Sequence, residues 1–418
     1  MKMLLNGEWV DRSEKLEVRN PQDNSLIDTV PQGSAEDMKQ AITAAVVGAE
    51  RARKETIPFD QMPGSENRLG YYFREPVGII GAITPFNDPL NLVAHKVGPA
   101  IAGGNAIIVK PDSKTPLSAL MLGKALHEAG IPSGALQVIP GPGRKIGDVL
   151  VGDPRVRMIS FTGGPNVGKA IMRKVGLKKV GMELGSNSPV IVMPDADLGL
   201  ALDACVSGGF WAAGQNCLHT QRLLVHDKIY DEFAARFVTL TEAYKVGDKL
   251  DEATDMGPLI NETEAIRVER MVNEAIEQGA TLLTGGKRNG SFYDPTALAD
   301  LPETCELAQE EIYGPVVILY RFHTLDEAIQ RANDVDYGLQ AGIFTRDIQT
   351  AFQAAADLQC GGVMINDSTD YRIDDMPFGG VKGSGLGREG IRFALQEMTE
   401  PKVVCFNLPD KLLACPVL

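Results

Sequence analysis

The chain has 418 residues, 44% of them apolar and 23% charged, which excludes a disordered or collagen-like polymer. Its 55 acidic and 41 basic residues give a formal charge of −14, a field that repels nucleic-acid backbones and anionic membranes. Six widely separated cysteines include no CxxC pair and no metal-finger spacing, so they read as reduced thiols of a cytoplasmic protein that holds no metal.

The opening MKMLLNGEWVDRSEK is too briefly apolar for a signal-peptide core. No later run approaches the roughly 18–20 apolar residues of a membrane span. A helix is predicted from Ala35 to Lys54, breaking at Thr56-Ile57-Pro58 into an extended polar segment that reaches Asn67. From Val77 the pattern becomes regular. Buried strands are predicted at Val77–Thr84, Ala106–Lys110, Leu136–Ile139, Met158–Phe161 and Val180–Glu183. Helices are predicted between them, at Pro89–Ala102, Pro116–Ala129, Arg144–Val151 and Asn166–Val175. Apolar strands without polar alternation, separated by helices, indicate a doubly wound parallel sheet that binds ligands beyond the strands' carboxyl ends.

A second α/β series follows Pro189. Its predicted helices are Leu198–Gly214, Ile229–Tyr244, Glu262–Gln278, Leu325–Asn333 and Ile348–Leu358. Its predicted strands are Arg222–Val225, Val316–Tyr320, Ala341–Thr345 and Gly362–Asn366, and the glycine-rich stretch Pro377–Gly390 closes it. The fold class is therefore α/β, with two doubly wound domains.

Several motifs carry chemical meaning. Gly163-Gly164-Pro165-Asn166-Val167-Gly168-Lys169 imitates a phosphate loop, but Ala170 stands where a magnesium-ligating hydroxyl is required. What survives is a helix N-terminus suited to a pyrophosphate, or a tight turn that needs glycine for its backbone alone. Gly141-Pro142-Gly143 is a near miss to a dinucleotide fingerprint and reads as a turn. Gly214-Gln215-Asn216-Cys217 offers either a buried thiol or a nucleophile in a polar setting. Glu183 ends a buried strand, which is costly unless the carboxylate is paired or poised as a base. Asn87, beyond the first parallel strand, suits an oxyanion donor or a helix cap.

These motifs, with Lys110-Pro111, Glu310-Glu311-Ile312-Tyr313-Gly314-Pro315 and Pro377-Phe378-Gly379-Gly380…Gly387-Arg388-Glu389, occur in the order of the aldehyde dehydrogenase superfamily. The chain resembles that family from Asn6-Gly7-Glu8-Trp9 to Pro401-Lys402. The resemblance implies that Cys217 is the nucleophile, Glu183 the base that activates water, and Asn87 a donor to the oxyanion. It implies NADP or NAD bound by Thr84, Pro85, Lys110, Ser113, Gly163, Gly164, Gly168, Glu311 and Tyr313. Ser113 followed by Lys114, where NAD-preferring relatives often carry Glu, suits a ribose 2′-phosphate. The tail Ile365–Pro377 resembles a branch acting on lactaldehyde, phosphonoacetaldehyde and glyceraldehyde-3-phosphate, with Arg372 and His219 as tentative contacts to a hydroxylated or anionic substrate.

By the same resemblance, residues 1–58 with 77–184 form the cofactor domain and 185–397 the catalytic domain. Residues 59–76 with 398–418 supply strands of a homodimer or homotetramer. Two departures stand out. Helices that relatives carry before the extended segment are missing, which would expose apolar surface and motivates an alternative, a catalytically impaired descendant with a binding or structural role. Gly185-Ser186-Asn187 also replaces the usual Gly-Gly-Lys, a change expected to alter packing without touching the chemistry.

Overall fold

In the computed structural model, which describes residues 1–45 and 54–408, the five apolar runs of the first series form one parallel row. Their order is Leu136–Val138, Ala106–Lys110, Ile79–Ile83, Val156–Thr162, Lys179–Glu183. Chain order reverses between Ile79–Ile83 and Val156–Thr162. That reversal opens a crevice at the carboxyl ends of the strands, where Thr84, Lys110 and Thr162 lie.

Two short antiparallel additions extend this sheet. At one edge Met3–Leu5 pairs with Glu8–Val10 through the loop Asn6-Gly7, both residues at positive φ (52° and 75°), as a tight hairpin turn requires. At the other edge Gly385–Leu386 pairs with Lys179–Glu183, placing Gly385 opposite Glu183. Ladder hydrogen bonds thus carry 385–386, within the expected catalytic domain 185–397, onto the first sheet.

The second sheet runs Thr281–Thr284, Thr296–Ala299, Val316–Phe322, Thr220–His226, Ser188–Val192, Gln340–Phe344, Gly362–Ile365, all parallel except its first pair. Ser188–Val192, inside this sheet, is absent from the sequence-based elements because proline is disfavoured within a ladder. The register slips between Ser188 and Pro189, an irregularity that accommodates the ring. The predicted helix Leu198–Gly214 stops at Phe210. Ala212 and Ala213 then adopt left-handed φ of 52° and 55°, a strained turn that precedes Cys217.

Helix Ala35–Ala45 agrees with its predicted start, and residues 46–53 of the predicted helix lie outside the described residues. A third sheet joins Thr399–Asn407, Arg68–Pro76 and Lys54–Thr56 in antiparallel register. Asn105 ties it to the first domain. Its buried amide donates to the carbonyls of Met398 (2.9 Å) and Ala100 (3.3 Å) and accepts from the Gly78 N–H (3.0 Å). Asn105→Leu strands a buried N–H, so a fall of about 1–3 kcal/mol in unfolding free energy is expected, measurable by urea titration.

Candidate active site

Glu183 ends a strand of the first sheet, and Cys217 and Ser186 precede adjacent strands of the second. The carboxyl end of one sheet thus faces the amino ends of the other. The approach is close: a Cβ on Gly214 would fall 2.1 Å from the Gly314 carbonyl oxygen, and one on Gly185 would fall 2.4 Å from Glu311 Oε2. Glycine is required at 214, where backbone meets backbone at positive φ, and at 185 a side chain would have to displace the Glu311 carboxylate.

Cys217 packs on a small cluster of Leu218, Leu339 and Phe378. Burial, then the carboxylates of Glu183 and Glu311, push its thiol upward, so the resting sulfur is protonated at neutral pH. Glu183 is 5% exposed, and its Oε2 has no hydrogen-bond partner. Burial and the nearby Glu389 charge raise it well above the ordinary carboxylate value, against Lys96, Arg372 and Arg388. Asn87 has a buried amide oxygen with no partner in the protein.

Sequence reasoning missed the charges that surround Glu183. Lys96 is 1% exposed, and its Nζ donates to Glu389 Oε1 and Ser160 Oγ, both at 2.9 Å. Burial pushes Glu389 up, but Lys96, His95 and Arg372 overcome it and hold the carboxyl well below its usual range. The signal was available, since Lys96 shares the apolar face of its helix with Leu92, Val93, Val97 and Ala100. A cation on that face demands a buried counter-ion. Glu183, Glu389, His95 and Ser160 also line a cavity of about 20 Å³, room for one water molecule.

The predicted cofactor residues occupy the crevice. Lys110 ends its strand 6% exposed, lowered by burial against Asp112, with no ion pair among the described residues. The Thr84 and Thr162 hydroxyls are buried without partners. A buried cation and orphan hydroxyls at a topological switch point fit a polar dinucleotide. Pro85 follows Thr84 directly, and the Ser113 hydroxyl donates to the Gly141 carbonyl at 3.3 Å. Gly163 and Gly164 form the turn into helix Pro165–Met172. Gly168 lies inside that helix, where a Cβ would come 2.6 Å from Leu184 Cδ2, so packing alone accounts for this glycine.

Glu311 accepts the Ser186 N–H at 2.8 Å, and burial raises it to about 7. Tyr313, at φ 47°, meets Phe86 edge-on with ring centroids 5.7 Å apart.

Arg372 stacks 3.7 Å above the Phe378 ring, whose cluster also packs Cys217. It donates to Glu389 Oε2 at 3.1 Å and contacts His95 Nδ1 at 2.8 Å, while its Nε is buried without a partner. Beside it lies a trough of about 360 Å³ lined by Asn91, Ala94, His95, Arg372, Asp374 and Leu395. Ile391, exposed, lies on the same trough.

His219 requires a correction only as a contact to an anion: it is 3% exposed, burial lowers it to about 4, and it offers no charge, while its buried Nε2 has no partner. Ser186 requires another: its hydroxyl donates to the Cys217 carbonyl at 2.5 Å, so the Gly-Ser-Asn variation reaches the nucleophile loop.

A family profile, the Aldehyde dehydrogenase family, matches residues 46–404. The chain is 53% identical over 375 residues to aspartate-semialdehyde dehydrogenase 1 of Pseudomonas canavaninivorans, covering 89% of this chain and 80% of that protein. It is 37% identical to lactaldehyde dehydrogenase of Methanococcus aeolicus over 471 positions, covering 97% of this chain and 100% of that protein. Since 471 exceeds 418, that match carries gaps on this side. The NADP complex of glyceraldehyde-3-phosphate dehydrogenase GapN from Methanocaldococcus jannaschii superposes with TM-score 0.89 at 38% identity, covering 95% of this chain and 100% of that one.

Lys96→Met leaves Glu389 buried without its nearest cation. A loss of about 3–5 kcal/mol in folding free energy is expected from denaturant unfolding.

Proposed function

Because the chain belongs to the aldehyde dehydrogenase family, we propose that it oxidises a small hydroxylated or anionic aldehyde to its carboxylic acid, using NADP or NAD. The observation that carries this reading is the convergence of Cys217, Glu183 and Glu311 where the two sheets meet, within electrostatic reach of one another. Cys217 Sγ bonds to the aldehyde carbon, and the thiol proton passes to a base. The resulting oxyanion takes hydrogen bonds from the Asn87 side-chain N–H and the Cys217 backbone N–H. Bound NAD(P) supplies a hydride acceptor, so that the thiohemiacetal becomes a thioester. Glu183 then removes a proton from water, whose oxygen attacks the thioester carbon. The acid leaves, and the proton returns to sulfur.

Lys110, Thr84 and Glu311 would hold the dinucleotide when it is bound. Ser113 and Lys114 bring no anion to a ribose 2′-phosphate, and Lys114 Nζ lies 5.0 Å over the Phe86 ring. NADP is therefore expected to bind no more than a hundredfold more weakly than NAD, and Ser113→Glu to shift preference toward NAD in a titration. The charge of Arg372 opposes the upward push on both Cys217 and Glu183. An anionic substrate group would complete the unpartnered Nε. The names of the lactaldehyde and aspartate-semialdehyde relatives support a short polar substrate. The exposed side chains of Leu69, Val403 and Phe406 on the third sheet support assembly into a homodimer or homotetramer, a size that light scattering would report; residues 409–418 of the expected interface lie outside the described residues.

The deciding assay follows reduced-cofactor absorbance with lactaldehyde, glyceraldehyde-3-phosphate, phosphonoacetaldehyde and propanal. Cys217→Ala is expected to abolish turnover, and propanal to be the poorest substrate. Comparable rates on propanal would overturn the polar-substrate reading. Glu183 works as a base only when ionised, and its ionisation is raised. Turnover should therefore fall as pH drops through a value above the roughly 4.3 of a free Glu. Glu183→Gln should give one burst of reduced cofactor and then stall.

A further inference from the structure

The segment Ser186-Asn187 touches both halves of the site. Asn187 Nδ2 donates to the carbonyls of Ala308 (3.0 Å) and Glu310 (3.3 Å), the lead-in to Glu311. Gln221 clamps the same stretch, donating to Leu307 and Glu310 and accepting from the Ile312 N–H at 2.9 Å. The buried Arg222 fixes the Asn187 carbonyl at 2.9 Å. Against this anchored background Ser186 makes two further bonds: its N–H donates to Glu311 Oε1, and its hydroxyl donates to the Cys217 carbonyl at 2.5 Å. Ser188 Oγ supports that hydroxyl at 3.2 Å. The next carbonyl, that of Leu218, is held separately by Thr369 Oγ1 at 2.6 Å.

We propose that Ser186 is a positioning residue that couples occupancy of the Glu311 carboxylate by a cofactor hydroxyl to the placement of the Cys217 main chain. The proposal rests on the reading of Cys217 as nucleophile and Glu311 as cofactor ligand. Glu311 lies against the Gly185 backbone, so the carboxylate has little room to shift without moving residues 185–186. A ligand hydroxyl donating to Glu311 pulls on the carboxylate that the Ser186 N–H also holds. The displacement passes through one side chain to the carbonyl of Cys217, whose own N–H faces the oxyanion. Neither glycine nor alanine at position 186 would transmit it, although both keep the N–H.

The test is the rate at which iodoacetamide alkylates Cys217, read by peptide mass spectrometry in the full chain with and without NADP. In the unaltered protein NADP is expected to change this rate. Ser186→Ala should shrink that change by about threefold or more, the worth of one hydrogen bond. Ser188→Ala, which weakens the same arm while leaving the hydroxyl, should shrink it less. Thr369→Val loosens the loop without touching Glu311 and should leave the change intact. A Ser186→Ala protein that keeps the full NADP effect overturns the proposal, as does equal loss in Thr369→Val. Absence of any NADP effect in the unaltered protein also overturns it. If turnover still requires Cys217 in that case, the coupling fails and the nucleophile assignment stands.

Discussion

The site depends on a backbone approach that no side chain larger than hydrogen permits. Gly214, in the turn leading to the thiol, lies against Gly314, in the loop that carries Glu311 and Tyr313. These loops belong to different β–α units, brought together because the strands Thr220–His226 and Val316–Phe322 are neighbours in the second sheet. The left-handed alanines 212 and 213 add strain at the same point, and the surrounding packing holds them there. A rigid junction of this kind suits a reaction in which the sulfur, the proton acceptor and the oxyanion donors must keep fixed separations.

Electrostatics divides the two carboxylates beneath the junction. Glu389 faces Lys96, His95 and Arg372 and stays ionised, whereas Glu183 is buried beside that negative charge and is driven toward its neutral form. The same residue type thus takes two protonation tendencies, one a fixed counter-ion and the other drawn toward its neutral form, according to its surroundings. Burying Lys96 and Glu389 is unfavourable for each alone, so the pair persists only with both partners present.

Most of the first sheet was legible in the sequence because its strands are continuous apolar runs and its turns carry glycine. What escaped did so for physical reasons. Ser188–Val192 contains a proline, which argues against an inner strand until a register slip accommodates it. The amino-terminal hairpin is only three residues per strand, although its Asn-Gly loop is a strong turn signal. Among site residues, Cys217, Glu183 and Asn87 were proposed through motif order, since their isolated contexts each allowed a structural reading. Lys96 and Ser186 were not assigned roles. Their partners lie far along the chain, Glu389 in one case and Cys217 in the other, and periodicity reports nothing about such pairings. The burial of His219 was not legible either, because closeness in sequence to a thiol says nothing about how deeply a ring is packed.

The crossing of Gly385–Leu386 onto the first sheet bears on how this protein is built by the ribosome. The early α/β unit emerges with Lys96 committed to an apolar helix face, but the carboxylate that neutralises it arrives almost three hundred residues later. Until then the edge of Lys179–Glu183 is an open ladder beside an unpaired buried cation, a template for wrong pairing. A fragment ending near residue 184 would be left permanently in that condition. The two α/β units are therefore distinct in sequence and inseparable in folding, and the carboxyl-terminal stretch completes the core of the domain made first.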